Sequence, residues 1–247
     1  MTITHIAMPA LQPFRAVTFS LVGRSQEHVS PFSGAAQVAQ LSGAYWRARY
    51  ELAPLTAAQA PAWKAFLAQL RGRANAFYGY DPDFQGYGGL AAITSDPAAW
   101  RADATSPKAD ATTTTADEWV GDVSSPGAPY VRVGAQTGST LKTAGWLPGL
   151  VLAAGEYVSF DVIDSNGNTL RSLHMLTAAE TVTDGGNANL EIVPPIRITP
   201  ASGALLYVSN PACSMRLVAD DAGRWSTDVA RHTRIAFDAV QVLTGEA

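Results

Sequence analysis

The stretch SPFSGAAQVAQLSGAYWRARYEL (Ser30–Leu52) opens as a loop, with Pro31 and Gly34, and closes as a strand. From Tyr45 onward its side chains alternate. Trp46, Ala48, Tyr50 and Leu52 fall on one side, and Tyr45, Arg47, Arg49 and Glu51 on the other. Residues two apart share a face of a strand, so this segment has an apolar side for a core and a polar side for solvent. A sheet covered on one face only is the usual setting of antiparallel strands. SPFSGAAQV (Ser30–Val38), rich in small residues, reads as a loop or hairpin arm that feeds this strand.

Working outward, FRAVTFSLV (Phe14–Val22) has the same character. Val17, Phe19 and Leu21 lie on one face, and Ala16, Thr18 and Ser20 on the other. Pro54 ends the strand that began at Tyr45. One helix follows, in LTAAQAPAWKAFLAQLRGR. Trp63, Phe66, Leu67 and Leu70 repeat at helical spacing, Thr56 and Gln59 have the form of a capping box, and Gly72 marks the stop. Pro61 would remove a helix hydrogen bond if Thr56 were the cap, which argues for a later or irregular start. Asn75–Asp81 reads as a strand returning beside the helix.

Asp81 to about Pro129 is turn-rich at first, then rich in Ala, Thr and Asp and poor in large aliphatics, and reads as an extended loop or arm. From Tyr130 short strands alternate with turns: YVRVGA, EYVSFDVI, TLRSLHML, LEIVPPIRI and ALLYVS. Asn166-Gly167 is a two-residue hairpin signal, and Asp184-Gly185-Gly186 marks another turn. Regular short strands of this kind predict a small sandwich or barrel. The segment from Ser214 onward predicts two more strands around Asp220-Asp221-Ala222-Gly223. The fold class is therefore mainly β, with one packed α-helix and a second small β-sandwich or barrel domain.

The chain has 247 residues, 47% of them apolar and only 15% charged. Average charge content is nearer ~25%, so either part of the uncharged surface is buried against another subunit or the chain is a Gly/Ala/Thr-rich β-protein with a neutral surface. The net charge of −4 is spread along the chain, without the Lys/Arg run of a nucleic-acid footprint. Cys213 stands alone, which excludes an intrachain disulfide and a multi-cysteine zinc site; it reads as a buried core thiol. There is no long apolar run and no signal-peptide pattern. The expectation is synthesis in the cytoplasm without membrane insertion.

No assembled chemistry emerges. The four histidines, His5, His28, His174 and His232, include no pair at i, i+4. His28 lies near Glu27 and Ser30, but Ser30 is on no G-x-S-x-G elbow and no oxyanion donor is evident; His28 reads as a solvated loop residue. His174 and His232 read as structural or interface residues. DSNGN (Asp164–Asn168) has oxygen ligands at alternate positions, yet its glycine is misplaced for a calcium loop and the closing glutamate is missing, so the hairpin reading prevails. Asp81 and Asp83, on one turn around Pro82, are not placed as opposed acid and base. GYGG (Gly86–Gly89) is too short for a phosphate-binding loop. No catalytic, metal-binding or cofactor-binding residue is assigned, and the chain is not read as an enzyme. Tyr78, Tyr80, Phe84, Tyr87, Trp100 and Trp119 cluster along the middle of the chain and suit packing better than sugar stacking; Trp119 and Trp146 are the glycan-contact candidates.

Several stretches, in order, resemble a phage tail structural family. They are FRAVTFSLV, SPFSGAAQV, YWRARYEL and LTAAQAPAWKAFLAQLRGRANAFYGYDP, then VGAQTGSTLKTAGW, LAAGEYVSFD and LEIVPPIR. Together they are similar to the distal tail protein of phages with long non-contractile tails. The resemblance covers most of the chain and is weakest over 91–125. It implies a β-sandwich ring domain with one helix, formed by 1–84 and 209–247, an extended arm at 85–129, and an outer β-domain at 130–208. It implies a ring, usually a hexamer, at the tail tip of the virion. The ring would join the tail tube protein to the hub and the receptor-binding protein, and DNA would pass through it without specific binding. Pro31, Phe32, Ser33, Gly34, Ala35 and Ala36 are the candidates for a subunit boundary, since small residues allow close backbone approach. The alternatives are a host-glycan-binding module and a different tail component, such as a tube or terminator subunit.

Overall fold

The computed structural model describes residues 2–10, 12–29, 31, 34, 36–82, 129–133, 136–221, 223–229 and 231–242. It is mostly β, with several antiparallel sheets and one short helix. The elements are β1 (Phe14–Val29), β2 (Ala36–Leu52), α1 (Ala60–Leu70), β3 (Phe77–Gly79), β4 (Tyr130–Val131), β5 (Gly138–Ala144), β6 (Val151–Leu152), β7 (Tyr157–Ile163), β8 (Thr169–Leu176), β9 (Glu180–Thr181), β10 (Ala188–Ile196), β11 (Leu206–Tyr207), β12 (Cys213–Leu217), β13 (Arg224–Thr227) and β14 (Thr233–Gln241).

The first sheet runs β1-β2-β14-β12-β3, with β13 also paired to β14. Strands distant in sequence are direct neighbours in it: Cys213 pairs with Gly79, and Ala239 with Ala48. The alternation of β2 decides which face is covered. Trp46, Ala48, Tyr50 and Leu52 are buried, while Arg47 and Arg49 are exposed. α1 packs its buried stripe, Trp63, Phe66, Leu67 and Leu70, into the same core. Rings of Tyr50, Phe66, Phe77 and Phe237 meet there at 5.2–6.3 Å in stacked and edge-on geometries. The core is tight at Gly79, where a Cβ would lie 2.3 Å from Met215 Sδ.

α1 starts at Ala60, later than Thr56. The Thr56–Gln59 pair still forms a turn: Thr56 N–H donates to Gln59 Oε1 at 3.1 Å, and Ala60 N–H to Thr56 O at 3.0 Å. Pro61 thus falls in the first helical turn, where its missing N–H has no intrahelical partner to lose. At the other end Arg71 and Gly72 take left-handed conformations, φ +50° and +64°, and the Asp220 carboxylate accepts the Arg73 N–H at 3.1 Å.

The second sheet runs β11-β7-β8-β10-β5-β4. Its ends come together: Tyr130 bridges Leu205, Val131 N–H donates to Ala204 O at 2.8 Å, and Leu206 N–H to Pro129 O at 2.7 Å. The result is a nearly closed barrel around Leu141, Trp146, Val158, Phe160, Leu190 and Ile192. Closing a sheet on itself removes its unpaired edges. Asn166-Gly167 makes the β7–β8 hairpin. Gly167 has φ +79°, and the Asp164 carboxylate accepts the backbone N–H groups of Asn166 and Asn168 at 2.8 and 2.7 Å.

The two sheets touch through specific groups. Trp46 Nε1–H donates to Leu173 O at 2.8 Å, Arg171 N–H to Ser214 Oγ at 2.8 Å, and Arg197 to Ala44 O at 2.6 Å.

Candidate assembly surface

β1 and β2 are far longer than the sheet they belong to. β14 pairs with β2 over Arg47–Glu51 only. Beyond that, among the described residues, the hairpin continues without a third strand, from Arg24 opposite Leu41 to Val29 opposite Ala36. At ~3.4 Å per residue this is an arm on the order of 20 Å. The register shifts between Val22 and Arg24, so the arm leaves the sheet at a bulge, a feature that bends and twists a strand locally. Gly23 sits there with open space where a Cβ would be.

The described side chains of the arm are exposed on both faces. Ser25, Glu27, Val29, Ala36 and Val38 share one face; Gln26, His28, Gln37 and Ala39 share the other. Val29 is 53% exposed and Val38 63%. A two-stranded hairpin without a core is marginal in water, and a ribbon polar on both faces has a weakly specified register. This arm gains its order from the sheet at its base and leaves an apolar spot, Val29 with Val38, open to a partner. Among the described residues β1 is also the end strand of the first sheet, with an outer backbone edge of the kind that takes up a further strand.

Of the two expectations for Ser30–Val38, a loop or a hairpin arm, the described residues form the arm. Ala36–Gly43 is strand. Of the boundary candidates, Pro31, Gly34 and Ala36 lie exposed at the tip, Gly34 with φ +67°. Phe32, Ser33 and Ala35 lie outside the described residues, as do Ser30, Asp83 and Trp119. Glu27 and His28 are strand neighbours on opposite faces, paired with Val38 and Gln37, so they do not converge on one site. Asp81 lies 3.5 Å from the Tyr157 hydroxyl. Trp146 is 2% exposed, with its Nε1–H on Thr143 Oγ1 at 2.6 Å. It is part of the barrel core, and the glycan-contact expectation for it is withdrawn because no face of its ring is open to a sugar.

Cys213, His174 and Asp164 are occupied or inaccessible. Cys213 is buried, and burial pushes its thiol well up. His174 is buried between Ser172 Oγ at 2.8 Å and Pro194 O at 2.7 Å, and burial lowers its pKa to about 4. Asp164 is held below the usual carboxylate range, first by the Asn168 side chain, which closes the hairpin rather than a calcium loop. Among the described residues no group of three or more His, Cys, Asp or Glu is placed to hold a metal ion, and no helix is long and apolar enough to cross a membrane.

Sequence reasoning missed one constellation. His5 Nε2 lies 2.8 Å from Ser214 Oγ, a separation suited to a nucleophile and its base. Ser214 is 1% exposed, however, and its oxygen already accepts the Arg171 N–H. No substrate atom can reach it, so the pair is structural. Nothing local in the sequence could have linked residues so far apart. Lining the same junction, Arg171, Ser172, Pro194, Arg197 and Gln241 bound a cavity of about 30 Å³, room for a water or two rather than an organic ligand. No protein-family model matches the chain, and no curated protein matches it.

Proposed function

We propose that this chain is a structural subunit of a phage tail, a distal ring protein joining the tail tube to the hub and receptor-binding apparatus. The observation that carries the reading is the β1–β2 arm. It is long, coreless, exposed on both faces and set on a bulge at the sheet edge, which is how a chain reaches a neighbouring subunit. The order of motifs that resembles distal tail proteins supports the same reading, as does the lack of converging reactive groups among the described residues. In this account the first sheet with α1 is the ring unit, formed by 1–84 and 209–247. The direct pairing of β3 with β12 supports such a discontinuous unit. The barrel within 130–208 is the outer domain.

Head-to-tail contacts would close the ring, with the arm of one copy on the body of the next. The solvent face of β2 and β14 mixes Arg47, Arg49 and Arg234 with Glu51 and Asp238, and Arg49 pairs with Glu51 at 3.0 Å. Such a face lacks the unbroken positive charge that makes DNA adhere through counterion release, and it suits a channel that must let DNA pass. The test is immunogold labelling of intact tails with antibody to the chain. Label confined to the tail tip is expected; label along the whole tube, or none on particles, would overturn the assignment.

A further inference from the structure

The segment from Thr2 to Ala10 is tied to both units of the fold. His5 forms a parallel bridge with Ala76, just ahead of β3. Ala76 N–H donates to Thr4 O at 3.0 Å, and Ile6 N–H to Ala76 O at 2.8 Å. Ile6 and Met8 pack on the core beneath the first sheet. Upstream, Ile3 packs on the barrel core, and its N–H donates to Asn168 Oδ1 at 2.9 Å in the β7–β8 hairpin. One short span therefore staples two hydrophobic cores.

His5 lies between the two anchors. Its ring stacks on Tyr78 of β3 at 4.6 Å, and its Nε2 meets Ser214 Oγ of β12 at 2.8 Å. Ser214 accepts the Arg171 N–H, so its own hydroxyl hydrogen is available to donate to a neutral His5. The charged and titratable groups around His5 are Tyr78, Arg171 of β8, Asp161 of β7 and, beyond them, Tyr207 of β11. Arg171 binds Asp161 through two bonds, 2.9 and 3.2 Å, and its guanidinium lies over Tyr78 and Tyr207 at 4.6 and 3.6 Å. Tyr207 also donates to Asp161 at 2.9 Å.

We propose that residues 2–8 form a pH-sensitive strap, which holds the barrel to the first sheet while His5 is neutral and loosens when His5 takes up a proton. Protonation turns Nε2 into a donor, so the buried Ser214 hydroxyl loses its acceptor. It also adds a positive charge beside Arg171. Asp161 opposes this only in part, because Arg171 and Tyr207 already occupy its oxygens. Burial first, then Arg171, holds His5 below its ordinary value. The sign follows from linkage: the closed strap binds the proton less readily than the open one. Closure is fully favoured above the open-state pKa of ~6.5 and weakens as pH falls below it. With one proton involved, the opening constant rises at most ~10-fold per pH unit. The inference is independent of the tail reading.

Hydrogen exchange on the full chain at pH 7.5 and 5.5, corrected for intrinsic rates, tests it at the Ile6 and Ala76 amides. Wild-type protection there is expected to fall on acidification, while amides of the β7–β8 ladder hold theirs. His5→Gln can accept from Ser214 but cannot titrate, so its protection should be independent of pH. Ile3→Ala should lower protection at both pH values. The strap is refuted by a wild-type change under about twofold, by a His5→Gln profile as steep as the wild type's, or by an equal loss of protection throughout the barrel.

Discussion

Val38→Asp is the substitution that best separates a role in assembly from a role in folding. Val38 is 63% exposed on the arm, opposite Glu27. Losing it removes little core, a surface effect within ~0.5 kcal/mol, and the new carboxylate opposite Glu27 adds a repulsion of ~0.2–1 kcal/mol, so the isolated chain should shift in Tm by no more than about 6 °C. In an assembly the outcome differs. Fully burying a valine is worth ~1.5–3 kcal/mol, and about 0.6 of that surface is still open to a partner, so each interface loses ~1–2 kcal/mol. Burying an aspartate without a partner adds a further cost of a few kcal/mol. At ~1.4 kcal/mol per decade, the contact weakens at least about tenfold. Sedimentation velocity across a concentration series reads the assembly, and calorimetry reads the fold. A variant that assembles like the wild type would show that the arm does not carry the contact. A Tm lowered by ~8 °C or more, beyond the surface effect and the repulsion together, would show that the arm belongs to the folded core.

Three other substitutions or titrations test separate parts of the account. Gly34→Trp strains a residue at φ +67° but meets open space, so it should impair assembly more than monomer stability; normal assembly would remove the tip from the boundary. Trp46→Phe leaves the Leu173 carbonyl without its 2.8 Å donor and should cost ~1–3 kcal/mol in denaturant unfolding; an unchanged midpoint would show that water replaces the indole. His174, with a folded pKa of about 4 against ~6.5 unfolded, stabilises the fold fully above pH ~6.5. That contribution fades as pH falls towards 4, a loss on the order of 3 kcal/mol. Imidazole NMR should show it untitrated down to pH ~5, and titration near 6.5 would contradict its burial.

The elements that could be read from the chain are those whose burial follows a period. Tyr45–Leu52 alternates because one face meets α1, and α1 shows its stripe because the other side is in water. Asn166-Gly167 revealed its hairpin because the turn needs a residue at positive φ. The length of the arm was hidden for the opposite reason. RSQEHV (Arg24–Val29) has no apolar face to alternate, and its strand conformation comes from pairing with Ala36–Leu41. Around Asp220–Gly223 three strands stand where two are expected, because β13, all of it exposed, and β14 are separate strands joined by their ladder. Trp146 misled because an aromatic beside turn residues looks available, whereas Gly186 lets the chain close over it: a Cβ there would lie 2.8 Å from Trp146 O. The His5–Ser214 contact depends on the docking of two sheets, which no local window contains.

The proposed role requires several copies of this chain in a closed ring. Electron microscopy of the purified full-length chain, with its mass measured on the same sample, tests that most directly. Ring-shaped particles with rotational symmetry and a mass that is an integral multiple of 26.0 kDa are expected, a hexamer if the likeness to distal tail proteins extends to symmetry. Particles that remain single 26.0 kDa chains at every concentration, or that grow as open fibres, would contradict it.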